Sequence, residues 1–321
     1  MKIALLFPGQ GSQTVGMGRE LAEGFAEARA VFREADEAYA TSLSSLCFEG
    51  PEDRLQQTAI TQPAIVATST ACLRVLEAHG VKASIVAGHS VGEYSALVAA
   101  GALSLRDAIR LTKLRGQLME AACPQGTGGM AALVGMDEEP VRALCREAVA
   151  SVGGVADIAG LNCQGQVVAA GHIRTLSELC SRAKLAGAGS ATMLKVSGPF
   201  HSSLMAPAES GLKSSLEAAD FHPAAVPVVQ NTDAAAHTDP AQLRRNLIGQ
   251  LTRPVLWQKS IELMLGLGVE LFIELGAGRV LAGMMKRIRR DARVLNVSDV
   301  ASLEKSLGSL RSEGLAASPG A

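Results

Sequence analysis

The chain has 321 residues, 48% of them apolar and 19% charged, with a formal net charge of −1, enough for one large core or two modest ones. A charge near zero argues against general affinity for nucleic acid or an anionic membrane, and 3% aromatic residues offer few platforms for stacking bases. No apolar run approaches the length that spans a bilayer, and Lys2 followed by Ile3 to Phe7 before Pro8 is too short for a signal segment. The cysteines (Cys47, Cys72, Cys123, Cys145, Cys163 and Cys180) are scattered without a C-x-x-C pair. That distribution speaks against a metal or disulfide framework and for a reducing cytosol.

In chain order, Lys2 to Phe7 reads as a short strand leading into the loop Pro8-Gly9-Gln10-Gly11-Ser12-Gln13, and helical spacing follows at Leu21, Phe25, Ala28 and Phe32. A helix is expected from Pro63 to His79, closed by Gly80, then a strand over Ala83 to Ala87 and helices over Val91–Ala100 and Ser104–Ala121. This alternation predicts an α/β fold with a mostly parallel sheet covered on both faces. From Gly126 to Val196 the order becomes strand (Met130–Val134), helix (Glu138–Val149), strand (Ala156–Leu161), strand (Gln166–Ala170), helix (Thr175–Ala186), strand (Ala191–Val196). That β-α-β-β-α-β order is the ferredoxin-like plan. Glycine-rich Gln125 to Gly129 and Ser197-Gly198-Pro199 bracket it as hinges, so residues 126–196 are expected to be an insert within a domain made of 1–125 and 197–313. A strand over Val226–Asn231, helices over Pro240–Leu251 and Pro254–Leu267, and a strand over Glu270–Leu275 complete the larger part. The small, polar stretch 314–321 is expected to be disordered.

Gly88-His89-Ser90-Val91-Gly92 is a G-x-S-x-G sequence between an expected strand and an expected helix. There a serine can stand on a sharp turn with its oxygen exposed, as a nucleophile; a helix N-cap serine is the competing reading. Such a serine needs a base, and six histidines are available. His201 stands apart from His79, His89, His172, His222 and His237, because Gly198-Pro199-Phe200-His201 is the return crossing from the insert, where a cleft between two parts would open. Asp220, Asp233, Asp239 and Glu274 are candidate acids without a distinctive context. An oxyanion hole needs two backbone N–H groups; Val91 would supply one and the loop Pro8–Gln13 the other.

Seven segments then carry a resemblance: Phe7 to Gln13, Thr61-Gln62-Pro63-Ala64, Gly88 to Tyr94, Lys113-Leu114-Arg115-Gly116, Gln166 to Gly171, Gly198 to Ser202 and Leu271 to Gly276. In this order and spacing, over residues 1 to about 312, the chain resembles the malonyl-CoA:acyl carrier protein transacylases of bacterial fatty acid synthesis. The resemblance implies an α/β-hydrolase-like large domain with a ferredoxin-like insert and a two-step transfer through a malonyl ester on Ser90. It makes His201 the base, the backbone N–H groups of Gln10 and Val91 the oxyanion hole, and the backbone carbonyl of Gln250 the group that orients His201. Arg115 would grip the substrate carboxylate with its planar fork. Gln62 and Asn162 would line the cleft, and Phe200 would leave little room for an α-methyl group, favouring malonyl over methylmalonyl.

If only the Gln250 carbonyl acts, Gln250→Ala is expected to retain most activity. Malonyl-CoA is the expected substrate and acyl carrier protein the transient partner of a cytoplasmic, monomeric protein without metal or bound cofactor. Cys163-Gln164 replaces the Ser-Pro common at this turn, which puts the local hairpin in question. The basic run Lys286, Arg287, Arg289, Arg290 is read either as a docking face for an acidic carrier or as a solvated helix face. A serine esterase or thioesterase, a noncatalytic carrier-binding module, a trans-acting polyketide loader and a malonate decarboxylase transfer subunit are the competing functions.

Overall fold

A computed structural model describes residues 1–124 and 126–317. Strand β1 (Lys2–Phe7) is buried at every position after Lys2, as a parallel strand covered on both faces must be. It lies at the centre of a sheet with β2 (Ile85–Gly88) on one side and β9 (Val269–Leu275) on the other. The full order is β10 (Arg293–Val297), β9, β1, β2, β7 (Val228–Val229), β8 (Ala236–His237), parallel except for the β7–β8 pair. The fold is therefore mixed α/β around a largely parallel sheet. The candidate serine follows β2 and the loop 8–13 follows β1, so both stand at the carboxyl ends of adjacent parallel strands, where such sheets bind ligands.

A second sheet is antiparallel, in the order β4 (Ala156–Cys163), β5 (Gln166–His172), β3 (Gly128–Val134), β6 (Ser190–Met193). Helices Glu138–Val152 and Ile173–Leu185 connect its strands, and Leu133, Val141, Ile158, Leu176 and Leu179 give it a core of its own. The two parts are stitched by backbone bonds from Leu161 N to Val255 O and from Val255 N to Ala159 O, both 2.9 Å. Asp157 adds acceptors for Ser203 N and Oγ at 2.8 and 2.7 Å.

Several boundaries differ from the sequence-based expectation for physical reasons. The helix expected from Pro63 begins at Thr58, because Ile60 and Thr61 N–H both find Gln57 O and the proline sits in the second turn. This 21-residue helix is long and apolar enough to cross a membrane by length and composition, contrary to the expectation that no such run exists. Its apolar window is 89% buried inside the protein, so its composition is that of a core helix. The strand expected over Val226–Asn231 keeps only Val228 and Val229, since Gln230 and Asn231 turn to serve a buried carboxylate. The helix expected to reach Leu251 ends at Ile248 and tightens into a 3₁₀ turn over Gly249–Thr252. The next helix starts at Trp257, because Val255 stays extended to pair with β4. The hairpin at Cys163-Gln164 forms, with Cys163 opposite Gln166 and Gly165 at φ 67°. The tail expected to be disordered from Gly314 instead packs Leu315 and Ala316 against the main core, and Ala317 N bonds His79 O at 2.8 Å. Gln125 and residues 318–321 lie outside the described residues.

Candidate active site

The turn after β2 can form only because both flanking residues are glycine. A Cβ at Gly88 would stand 2.0 Å from the backbone carbonyl carbon and oxygen of Gly92, and one at Gly92 would stand 2.2 Å from Phe7 O. Between them Ser90 has φ 52°, a left-handed conformation that L-residues with a Cβ avoid at a cost of about 1–2 kcal/mol. It leads into helix Gly92–Ala99. His201 is also left-handed, at φ 60°, in a turn pinned by Ser202 Oγ donating to Pro199 O at 2.6 Å.

These two strained turns bring Ser90 Oγ within 2.7 Å of His201 Nε2. On the other side of the imidazole, Nδ1 lies 2.9 Å from the backbone carbonyl oxygen of Gln250, which the 3₁₀ turn aims inward. A carbonyl there fixes Nδ1 as the donor and leaves Nε2 free to accept. Burial, and secondarily the Arg115 charge, push the His201 pKa down to about 3, so the imidazole is neutral at pH 7.

Arg115 is 1% exposed. Its Nη1 donates to Gln62 Oε1 at 2.7 Å and its Nη2 to Gln250 Oε1 at 2.9 Å and Ser90 Oγ at 3.1 Å. Its guanidinium also lies over the Tyr94 ring at 5.9 Å. Among the described residues every hydrogen-bond acceptor of this buried cation is neutral, an arrangement suited to an incoming anion. The Gln250 side chain also donates Nε2 to Ser90 O at 3.1 Å. Gln250 thus meets the site through its amide as well as its carbonyl, which the sequence-based expectation for Gln250→Ala did not include.

The serine and histidine open onto a cleft of about 630 Å³ that Gln10, Gln62, Asn162, Met119 and Phe200 also line. Among the described residues neither the Gln10 nor the Val91 backbone N–H is engaged by an acceptor. Phe200 is buried at the cleft wall, and Gln62 Nε2 contacts Met119 Sδ at 3.3 Å. Asn162 reaches the elbow indirectly, its Oδ1 lying 2.9 Å from His89 Nε2. All nine sequence-derived site residues therefore gather at one place.

The other candidates are engaged elsewhere. His79 Nδ1 contacts Val75 O, His172 Nδ1 accepts from Val155 N, His222 pairs with Asp220 and His237 with Asp233. Asp239 and Glu274 each accept from backbone N–H groups at a helix start. Two residues that the sequence did not single out reach the site. Asn231 Oδ1 accepts from Ser90 N at 2.7 Å, and Glu93, fully buried, accepts from Asn231 N at 2.8 Å. Burial pushes the Glu93 carboxyl up to about 7. A lone carboxylate in the apolar stretch Gly92–Ala99 was the signal for Glu93. For Asn231 it was the position at the carboxyl end of a parallel strand.

Known proteins resemble this chain over nearly its whole length. Residues 4–315 match the model of the acyl transferase domain family. The malonyl CoA-acyl carrier protein transacylase of Bacillus subtilis is 45% identical over 312 residues, covering 97% of this chain and 98% of its own length. The crystal structure of acyl-carrier-protein S-malonyltransferase from Bartonella henselae matches with a TM-score of 0.93 at 42% identity, over 97% of this chain and 100% of that one. A solved complex of a type II PKS acyl-carrier protein with its malonyl-transacylase also matches, with a TM-score of 0.93 at 40% identity, over 96% of this chain and 100% of that one. The protein belongs to the acyl transferase domain family.

Proposed function

We infer that this protein is an acyltransferase that moves a malonyl group from malonyl-CoA to the phosphopantetheine thiol of acyl carrier protein, supplying fatty acid synthesis. The observation that carries the reading is the contact set of one oxygen. Ser90 Oγ is shared between a neutral imidazole at 2.7 Å and a buried guanidinium at 3.1 Å, a base beside an anion clamp.

In the first half-reaction Ser90 Oγ attacks the thioester carbonyl while His201 Nε2 takes its proton. The backbone N–H groups of Gln10 and Val91 hold the oxyanion. Collapse breaks the C–S bond, His201 returns the proton to the CoA sulfur, and a malonyl ester stays on Ser90. The carrier thiol then attacks that ester, giving its proton to His201, and Ser90 leaves with it. Arg115, steadied by Gln62 and Gln250, pairs with the malonyl carboxylate. That pairing also neutralises the charge that depresses His201, so a carboxylated acyl group makes the base stronger as it binds. Phe200 narrows the pocket against an α-methyl group, a difference of about 1–3 kcal/mol, and the Asn162–His89 contact ties the cleft wall to the elbow.

This chemistry needs no metal or bound cofactor. The acting unit is a cytoplasmic monomer that meets its carrier transiently, with the basic run 286–290 as a candidate docking face. Its large part, residues 1–125 with 197–313, is an α/β-hydrolase-like domain against which Leu315 and Ala316 pack, and 126–196 is a ferredoxin-like insert. The largely parallel six-strand sheet and the antiparallel four-strand sheet with two helices support that division.

The test is transfer from malonyl-CoA with and without holo carrier protein. Malonyl carrier protein should accumulate with little free malonate. Free malonate released equally fast without the carrier would favour a thioesterase. Comparing kcat/KM for fatty acid and polyketide carriers separates housekeeping from polyketide loading.

A further inference from the structure

Glu93 is fully buried and takes no part in the chemistry above. A carboxylate in such a place must be saturated by donors. Its Oε2 accepts from the Asn231 backbone N–H at 2.8 Å and its Oε1 from Gln230 Nε2 at 2.9 Å. Gln230 cannot turn over without loss, because its Nε2 also donates to Leu243 O at 3.0 Å and its Oε1 accepts from Asn246 Nδ2 at 3.0 Å. Asn231 in turn spans the Ser90 turn. Its Oδ1 accepts from Ser90 N at 2.7 Å and its Nδ2 donates to Gly88 O at 2.7 Å. Backbone groups at both ends dictate which way that amide points.

The bonds form a closed ring. Gly88, Ser90 and Glu93 lie on one continuous turn and helix start, and Asn231, just beyond β7, buckles the turn from outside. Glu93 receives donors on both oxygens. A glutamine there would place an NH2 against either the Asn231 N–H or Gln230 Nε2. The ring therefore favours a side group of this length that can accept on both of its oxygens.

We propose that Glu93 and Asn231 are positioning residues that hold Ser90 in its left-handed conformation, keeping Oγ aimed at His201 and the Val91 N–H aimed into the cleft. The proposal rests on the reading of Ser90 as nucleophile. It explains why a buried carboxylate stands three residues after the serine, and why β7 stops at Val229.

The test follows Ser90 acylation by malonyl-CoA in single-turnover rapid mixing, read by intact mass, with folding checked by thermal melting. The proteins are the full-length wild type, Asn231→Ala, Glu93→Gln, and the swap Glu93→Gln with Gln230→Glu. Asn231→Ala leaves Glu93 bonded to the backbone N–H and removes only the buckle. It should slow acylation by about 100-fold, the loss typical of a small misplacement of a reacting group, with malonyl-CoA affinity changed by less than about threefold. Glu93→Gln should slow it comparably. The swap sets a carboxylate oxygen against Leu243 O in place of the Gln230 Nε2 donor, so it should recover none of that loss, and a swap that acylates at the wild-type rate would overturn the directional ring. A folded Asn231→Ala protein that acylates at the wild-type rate overturns the proposal, as does a loss that appears wholly as weaker malonyl-CoA binding. Unfolding of all three variants overturns it too, because it would make the ring part of the core and not a device for Ser90. Failure of the wild-type protein to acylate at Ser90 would instead defeat the reading of the nucleophile.

Discussion

Arg115→Ala removes a guanidinium that is 1% exposed and whose acceptors are Gln62, Gln250 and Ser90. In the variant a malonyl carboxylate would enter the same pocket and meet two neutral amides in place of a planar fork. Leaving one charge of a buried pair without its partner costs about 3–5 kcal/mol, which corresponds to a fall of about 10²- to 10³·⁵-fold in kcat/KM. Acetyl-CoA carries no carboxylate, so its slower transfer should change by less than about tenfold. The assay is kcat/KM for both donors, with holo carrier protein as acceptor. A second signature follows from His201, whose pKa is depressed first by burial and then by the Arg115 charge. Without that cation the imidazolium is easier to form, so the acid limb of the pH profile should move to higher pH. Equal losses for malonyl and acetyl transfer, together with an unmoved acid limb, would refute the assignment of Arg115 as the carboxylate clamp.

Three further outcomes are expected. Gln250→Ala keeps the carbonyl that orients His201 but loses the bonds to Arg115 and Ser90 O. Its kcat/KM should fall by about 10- to 100-fold, as for a hydrogen bond to a charged group; full activity would mean that the carbonyl alone matters. Gly88→Ala would place a Cβ 2.0 Å from Gly92, so thermal melting should show a loss of at least about 1–3 kcal/mol and transfer should vanish; a native melting point with native activity would contradict the elbow geometry. Denaturant unfolding across pH should report two opposed groups. His201, held neutral down to about 3, binds fewer protons folded than unfolded below about 6.5, which lowers stability as pH falls. Glu93, with a folded pKa of about 7, binds more protons folded than unfolded above about 4.5, which lowers stability as pH rises to 7. The two should nearly cancel between about pH 4.5 and 6.5, leaving a drop of about 2 kcal/mol between pH 4.5 and 3 from His201 alone. A full acid slope already present at pH 6 would contradict the buried state of Glu93.

Much of this arrangement was legible in the residues. The strand–Gly-x-Ser-x-Gly–helix unit, the alternation around it and the β-α-β-β-α-β segment depend on local periodicity and glycine punctuation, which sequence carries directly. The strands of the second sheet fell within a few residues of their expected positions. Element ends near the site were misjudged for a common reason: long-range bonds set them. Val255 stays extended to meet Ala159 and Leu161, Gln230 and Asn231 leave the sheet for Glu93, and the Gly249–Thr252 turn presents a carbonyl to a residue 49 positions away. Arg115 has no distinguishing local pattern in Lys113-Leu114-Arg115-Gly116, and only the resemblance raised it. Its burial depends on Gln62 and Gln250, which are distant in sequence. Asn231 and Glu93 escaped for the same reason, since each acts through contacts with a residue about 140 positions away.

The central claim is that Ser90 carries the malonyl group between donor and acceptor. Intact mass measurement of the protein after brief exposure to malonyl-CoA, without carrier protein, tests it most directly. A single malonyl-sized adduct should appear on the wild type, be absent from Ser90→Ala, and disappear when holo carrier protein is added. A wild-type protein that stays unmodified, or an adduct that persists in Ser90→Ala, would contradict the account.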